Sequence, residues 1–151
     1  MKAGKIQFKK IAVIGAGTMG SGIAAQIANA GLDVLLLDLA AKNENEISPA
    51  EAAIERLIKS DPPQLVSKNV SKLIKTGTIE SDFDNLKDYD WIIEAVVERL
   101  DIKKSLYSRL DRIIKGECIV TSNTSSIPIK VLSEHLTNSE KKDFCITHFF
   151  N

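Results

Sequence analysis

The chain has 151 residues, 44% of them hydrophobic and 26% charged, and its 20 basic and 20 acidic side chains leave a formal net charge of zero. That is ordinary globular composition in a length sufficient for one domain with its own core. Zero net charge offers nothing to nucleic acid or an anionic membrane surface, no apolar run approaches the ~20 residues of a membrane span, and the basic Met1–Lys10 segment lacks the apolar centre of a signal peptide.

Ile11-Ala12-Val13-Ile14 reads as a short buried parallel strand. The glycine-rich stretch Gly15-Ala16-Gly17-Thr18-Met19-Gly20 follows it, then an alanine-rich helical segment from Ser21 to Ala30 that Gly31 closes. A second apolar strand, Val34 to Leu37, ends in Asp38. A GxGxxG pattern alone is a weak signal. Between a strand and a helix, with an acidic residue at the end of the next strand, it reads as a dinucleotide-binding βαβ unit. Gly15 permits the tight turn, Gly17 lets backbone approach a pyrophosphate, and Gly20 lets the helix lie close to the sheet. The helix N-terminus offers unpaired N–H groups to the phosphates. Asp38 accepts hydrogen bonds from an adenosine ribose. Its carboxylate repels a 2′-phosphate, and Lys42, the nearest basic residue, stands further along the loop, so NAD is favoured over NADP.

Ser48-Pro49-Ala50-Glu51 has capping-box spacing and opens a helix to about Lys59, which Asp61-Pro62-Pro63 ends. A second short helix is expected over Asn69–Lys75, stopping at Gly77. Thr78-Ile79 is a weak strand and Trp91–Val97 a strong one. An amphipathic helix spans Asp101–Lys115, with Leu106, Leu110, Ile113 and Ile114 at helical spacing and Gly116 as its stop. Cys118–Thr121 is a strand, Ile129–Leu136 a short helix and Phe144–Thr147 a last strand. The pattern predicts an α/β fold of Rossmann type, a doubly wound and mostly parallel sheet with a helical excursion after the second strand, as one domain over residues 1–151. Cys118 and Cys145 fall inside predicted strands and read as buried, reduced thiols of a cytoplasmic protein. No second ligand stands near either, so no metal site is expected.

Ligands of such sheets bind beyond the carboxyl ends of the strands. Glu98, the run Ser122-Asn123-Thr124-Ser125-Ser126, and His148 all stand there. Each has a second reading: the run as a helix-capping loop before Ile127-Pro128, and His148 as a satisfied strand-end histidine. His135, in a polar helix, reads as solvated.

The chain resembles the 3-hydroxyacyl-CoA dehydrogenase family in its NAD-binding domain. The motifs that carry the resemblance are Gly15-Ala16-Gly17-Thr18-Met19-Gly20-Ser21-Gly22-Ile23-Ala24, Glu94-Ala95-Val96-Val97-Glu98, Ser122-Asn123-Thr124-Ser125-Ser126 and His148-Phe149-Phe150-Asn151, in order and over nearly the whole chain. The resemblance implies that Gly15, Gly17, Thr18, Met19, Gly20, Asp38 and Ala95 bind NAD, with Glu98 and Lys103 near the nicotinamide-side ribose. Asn123 and Ser125 would position the nicotinamide and the substrate oxygen, and His148 would be the general base. The implied parent reaction is oxidation of L-3-hydroxyacyl-CoA by NAD in fatty-acid β-oxidation, with an acyl-CoA substrate and a homodimer in the full-length family. The excursion from Ala41 to Gly77 departs from the simplest family pattern, so no CoA ligand is assigned. The family continues past Asn151 through a supporting glutamate and a helical domain, so residues 1–151 alone are expected to bind NAD without turnover, with His148 loosely held near the chain end. Two other readings are a standalone NAD-binding module from a split or shortened gene, and a hydroxy-acid dehydrogenase that does not use CoA.

Overall fold

The computed structural model describes residues 8–114, 118–134, 136–137 and 141–150. The expectations at Lys115, Gly116, His135 and Asn151 lie outside the described residues.

Four consecutive apolar side chains need cover on both faces of a sheet, and Ile11–Ile14 forms β1 at its centre with all four buried. β2 (Val34–Asp38) and β4 (Trp91–Glu94) flank it in parallel, so that Ile14 lies opposite Leu37 on one side and Glu94 on the other. β3 (Ile74–Thr78) extends the sheet beyond β2, while β5 (Ile119–Ser122) and β6 (Phe144–Ile146) extend it beyond β4. The order is β3-β2-β1-β4-β5-β6, and every neighbouring pair is parallel. All the described strands therefore end at one rim.

Side-chain alternation along β1 feeds two cores. Ile11 and Val13 point to the face covered by α1 (Thr18–Asn29) and α2 (Pro49–Lys59), among Ile23, Ala24, Ala53 and Leu57. Ala12 and Ile14 point to the face covered by α3 (Leu100–Ile113) and α4 (Ile129–Ser133), among Ile92, Leu106, Leu110 and Leu132. α1 can lie close to the sheet because its contact residues Ala24, Ala25 and Ala28 are small and buried. The predicted capping box opens α2. Ser48 Oγ accepts from Glu51 N–H at 3.3 Å, and Glu51 Oε2 accepts from Ser48 N–H at 2.8 Å.

Several expectations need correction. Residues 69–75 do not form an α-helix: a 3-10 segment over Lys68–Leu73 leads straight into β3. Ile74 buries against the α1–α2 core, and the β-branched Ile74, Thr76 and Thr78 pair with β2, which outweighs the weak local preference of a seven-residue helix. Gly77 is a strand residue rather than a stop, and the Thr78-Ile79 strand is the end of β3 and the residue after it. The strong strand ends at Glu94 instead of Val97, because its partner β1 ends at Ile14 and Val96 N–H turns back onto the Glu94 side chain. α1 starts three residues early, at Thr18, and α4 ends three residues early, at Ser133, although Leu136 is still buried. Cys118 is buried just ahead of β5, with burial and then the nearby Asp90 and Asp143 pushing its thiol up to about 12. Cys145 is exposed, since β6 is an edge strand.

Candidate functional site

After β1 the chain turns to the α1 face, and after β4 it turns to the α3 face, so the two connections part at the rim and open a crevice between them. Gly15 makes the first turn with φ +106°, and a Cβ there would stand 2.4 Å from the Ala95 carbonyl oxygen. At Gly20 a Cβ would stand 1.7 Å from the Gly15 carbonyl oxygen. Neither position accepts a side chain. Gly17 is the opposite case: a Cβ there would meet nothing within 4 Å. Among the described residues no other side chain enters this space, which lies over the start of α1, whose first turn has no capping side chain and no acidic residue. Backbone donors facing open space in this way suit a phosphate group.

The turn is held from both sides. Asp38, at the end of β2, accepts from Ala16 N–H at 2.5 Å through Oδ2 and from Leu39 N–H at 2.7 Å through Oδ1. Arg56 Nη2 of α2 donates to the carbonyl of the same Ala16 at 3.1 Å. Each Asp38 oxygen keeps a further lone pair for a ribose hydroxyl. Ala95 lies at the parting point itself, its N–H donating to Ile14 O at 2.8 Å. Beside Asp38 lies a largely apolar cavity of about 340 Å³, lined by Leu39, Ile79, Phe83, Val96, Ile102 and Leu106 together with Asp101, Ser105 and Arg109. Sequence reading missed this cavity. The available signal was an apolar residue one or two places past a strand end, at Leu39, Ile79 and Val96.

Polar groups fill the other half of the rim. Glu98 Oε1 accepts from the Thr124 hydroxyl, from Ser125 N–H and Ser126 N–H at 3.2 Å each, and from Ser126 Oγ at 3.0 Å. Lys103 Nζ of α3 lies 3.3 Å from Glu98 Oε2. Partial burial raises the Glu98 carboxyl, but the Thr124 and Ser126 hydroxyls, the Lys103 charge and the Ser126 N–H outweigh it and hold its pKa at about 2. Lys103 is 1% exposed, with its ammonium also 2.6 Å from Glu94, so it acts on the rim from beneath.

Asn123 N–H donates to Glu94 O at 2.8 Å, and Asn123 Oδ1 accepts from Phe149 N–H at 2.7 Å. Thr147 N–H donates to Ser122 O at 2.9 Å. His148 thus stands between two anchored residues, its ring 4.6 Å from that of Phe150, and it is exposed to solvent beside the loop that carries Asn123 and Ser125. The backbone on either side of His148 is hydrogen-bonded, while its imidazole is exposed. Ser125 is exposed, and Thr147 Oγ1 is a buried hydroxyl with no hydrogen-bond partner among the described residues. The 123–126 run does not cap α4, whose N-cap is Pro128 without a side-chain cap bond; Thr124 Oγ1 instead accepts from Ile127 N–H at 3.2 Å within the loop. Among the described residues no group of three or more His, Cys, Asp or Glu side chains could hold a metal ion, and no helix is long and apolar enough to cross a membrane.

A protein-family model described as 3-hydroxyacyl-CoA dehydrogenase, NAD binding domain, matches residues 10–151. The chain is 40% identical over 147 residues to a probable 3-hydroxyacyl-CoA dehydrogenase of Deinococcus radiodurans, covering 97% of this chain and 42% of that protein. It is 43% identical over 146 residues to a putative fatty acid oxidation complex trifunctional enzyme of Rickettsia felis, covering 96% of this chain and 20% of that one. The chain therefore spans less than half the length of these two relatives. Among solved structures, the 3-hydroxybutyryl-CoA dehydrogenase of Escherichia coli is similar with a TM-score of 0.79 at 31% identity, over 97% of this chain and 30% of that one.

The Glu98 network generates a pH prediction. A carboxyl whose folded pKa is lowered from 4.5 to about 2 contributes stability that is complete above about pH 4.5 and drains away as the pH falls toward 2. Chemical denaturation across that range should show a steeper acid loss in the wild type than in Glu98→Gln, and parallel acid limbs would remove Glu98 from the account.

Proposed function

The chain belongs to the 3-hydroxyacyl-CoA dehydrogenase family as its NAD-binding domain, and from that premise we propose that it forms the dinucleotide half of an enzyme that oxidises L-3-hydroxyacyl-CoA to 3-oxoacyl-CoA. The observation that carries the reading is the open space over Gly17 at the uncapped start of α1, with Asp38 fastened to the same turn. NAD is the cofactor, and when bound it supplies the hydride acceptor.

The residues divide the work along the rim. Gly17, Thr18, Met19 and Gly20 receive the pyrophosphate at the start of α1, and Gly15, whose own N–H donates to Leu37 O at 2.7 Å, shapes the turn beneath it. Asp38 receives the adenosine ribose, and in the adjoining cavity Leu39, Ile79, Val96 and Ile102 suit the flat faces of adenine, with Asp101, Ser105 and Arg109 available to its polar edge. Ala95, Glu98 and Lys103 line the nicotinamide side, Lys103 through the orientation it imposes on Glu98. Asn123 and Ser125 orient the nicotinamide and the substrate oxygen. His148 takes the proton of the 3-hydroxyl as C3 loses its hydride, a role that suits an imidazole near neutral pH. The acyl-CoA substrate, the β-oxidation setting and the homodimer of full-length family members belong to the same reading. A cytoplasmic site of action is its last part, favoured by two cysteines that are both free, one of them exposed.

Three measurements test it. Gly17→Val puts a branched side chain into space that only a ligand uses, so it should abolish NADH binding by calorimetry with an unchanged melting temperature; retained binding sinks the reading. The wild type should prefer NADH to NADPH, and Asp38→Asn, which keeps an oxygen for Ala16 N–H but removes the charge, should narrow that preference about tenfold. In the full-length enzyme, His148→Gln should lower kcat with acetoacetyl-CoA by about a hundredfold or more while NADH affinity stays within twofold.

A further inference from the structure

Below the rim lies a charged cluster whose central carboxylate, Glu94, has no part in the division of roles above. Glu94, the last residue of β4, is 0% exposed, and Lys103, Tyr107 and Ser122 around it are 1%, 0% and 0% exposed. Lys103 Nζ donates to Glu94 Oε1 at 2.6 Å, while Tyr107 OH and Ser122 Oγ each donate to Oε2 at 2.6 Å. Val96 N–H adds a bond to Oε1 at 2.9 Å. Burial, then the Glu94 charge, raises the Tyr107 hydroxyl far above its ordinary range, so it is a permanent donor. Both carboxylate oxygens are fully answered.

A buried ion pair of this kind is weak evidence of a stabilising role, since well-packed apolar residues in its place are often neutral or stabilising. What the ion pair adds is direction. Parallel register sets Glu94 beside Ser122, and one helical turn sets Lys103 above Tyr107 on the inner face of α3. Two side-chain partners of Glu94 lead on to the nicotinamide side of the rim: Lys103 reaches Glu98 Oε2 at 3.3 Å, and Ser122 Oγ accepts from Thr124 N–H at 3.2 Å. Val96, beside the adenosine half, bonds Glu94 only through its backbone N–H, which the oxygen kept in Glu94→Gln can still accept. Glu98 meanwhile grips residues 124–126 from above.

We propose that Glu94 is a positioning residue for the nicotinamide half of the site, aligning Lys103 and the Asn123–Ser125 loop from beneath without touching the cofactor. The proposal rests on the reading that these two elements face the nicotinamide side. Glu94→Gln keeps the volume but turns one acceptor oxygen into an NH2 group among donors. Two probes separate the halves of the site: NADH spans both, and ADP occupies the adenosine half alone. In the purified chain Glu94→Gln should weaken NADH about tenfold by calorimetry, leave ADP within twofold, and reduce the fluorescence enhancement of bound NADH. Glu94→Asp, which restores the charge, should recover part of the loss. Equal weakening of both probes marks a merely structural role and overturns the proposal, as does unchanged NADH affinity. If Glu94→Gln does not fold, Ser122→Ala, which removes one donor and the link to Thr124, is expected to show the same selective loss at about threefold, and the absence of that loss overturns the proposal. A wild-type chain that binds neither probe overturns the dinucleotide reading and this proposal with it.

Discussion

Between Gly15 and Gly20 two stretches of backbone lie so close that a single methyl carbon at Gly20 would sit 1.7 Å from the Gly15 oxygen. This contact decides where α1 starts and which way it points. With the first turn of the helix pressed onto the exit of β1, the helix axis aims its free N–H groups across the rim. Ala95 closes the other side of the same contact, since its carbonyl blocks any side chain at Gly15. Three chain segments, the ends of β1 and β4 and the start of α1, thus meet with backbone alone at their centre. The crevice exists because nothing else fits there.

Carboxylates complete what the glycines begin. Asp38 joins the turn to β2, Glu94 joins β4 to α3 and β5, and Glu98 joins the connection after β4 to the loop after β5. Their environments differ in a way that matters physically. Asp38 and Glu98 are partly solvated and can exchange partners with a ligand at modest cost. Glu94 is sealed from water, so loss of Lys103 would leave an unpaired charge in the core, a far larger penalty. The rim is therefore adjustable at its surface and rigid one layer down.

The central βαβ unit was legible because local and global signals agree there: apolar run, glycine turn, helix, apolar run, acid. β3 was not. Ile74-Lys75-Thr76-Gly77-Thr78 is an edge strand with a single buried side chain, so its hydrophobic pattern is nearly silent and only pairing with β2 defines it. Glu94 escaped notice for a related reason. Inside Trp91-Ile92-Ile93-Glu94-Ala95-Val96-Val97 an acidic residue looks like the exposed member of an alternating strand, and its partners stand 9, 13 and 28 positions away. The burial of Lys103 was not legible, since it stands on a helix among charged neighbours. The backbone bonds that flank His148, to Ser122 and Asn123, join distant parts of the chain and left no local signal.

The clamped Ala16 peptide bears on binding kinetics. Its N–H is taken by Asp38 and its carbonyl by Arg56, so the turn stands in one conformation between fixed partners. A ligand that meets a preformed cradle incurs little ordering cost and waits for no rearrangement. Arrival is then set by diffusion and orientation, which vary little from one variant to the next. Differences in affinity along this rim accordingly reside in how long the ligand stays.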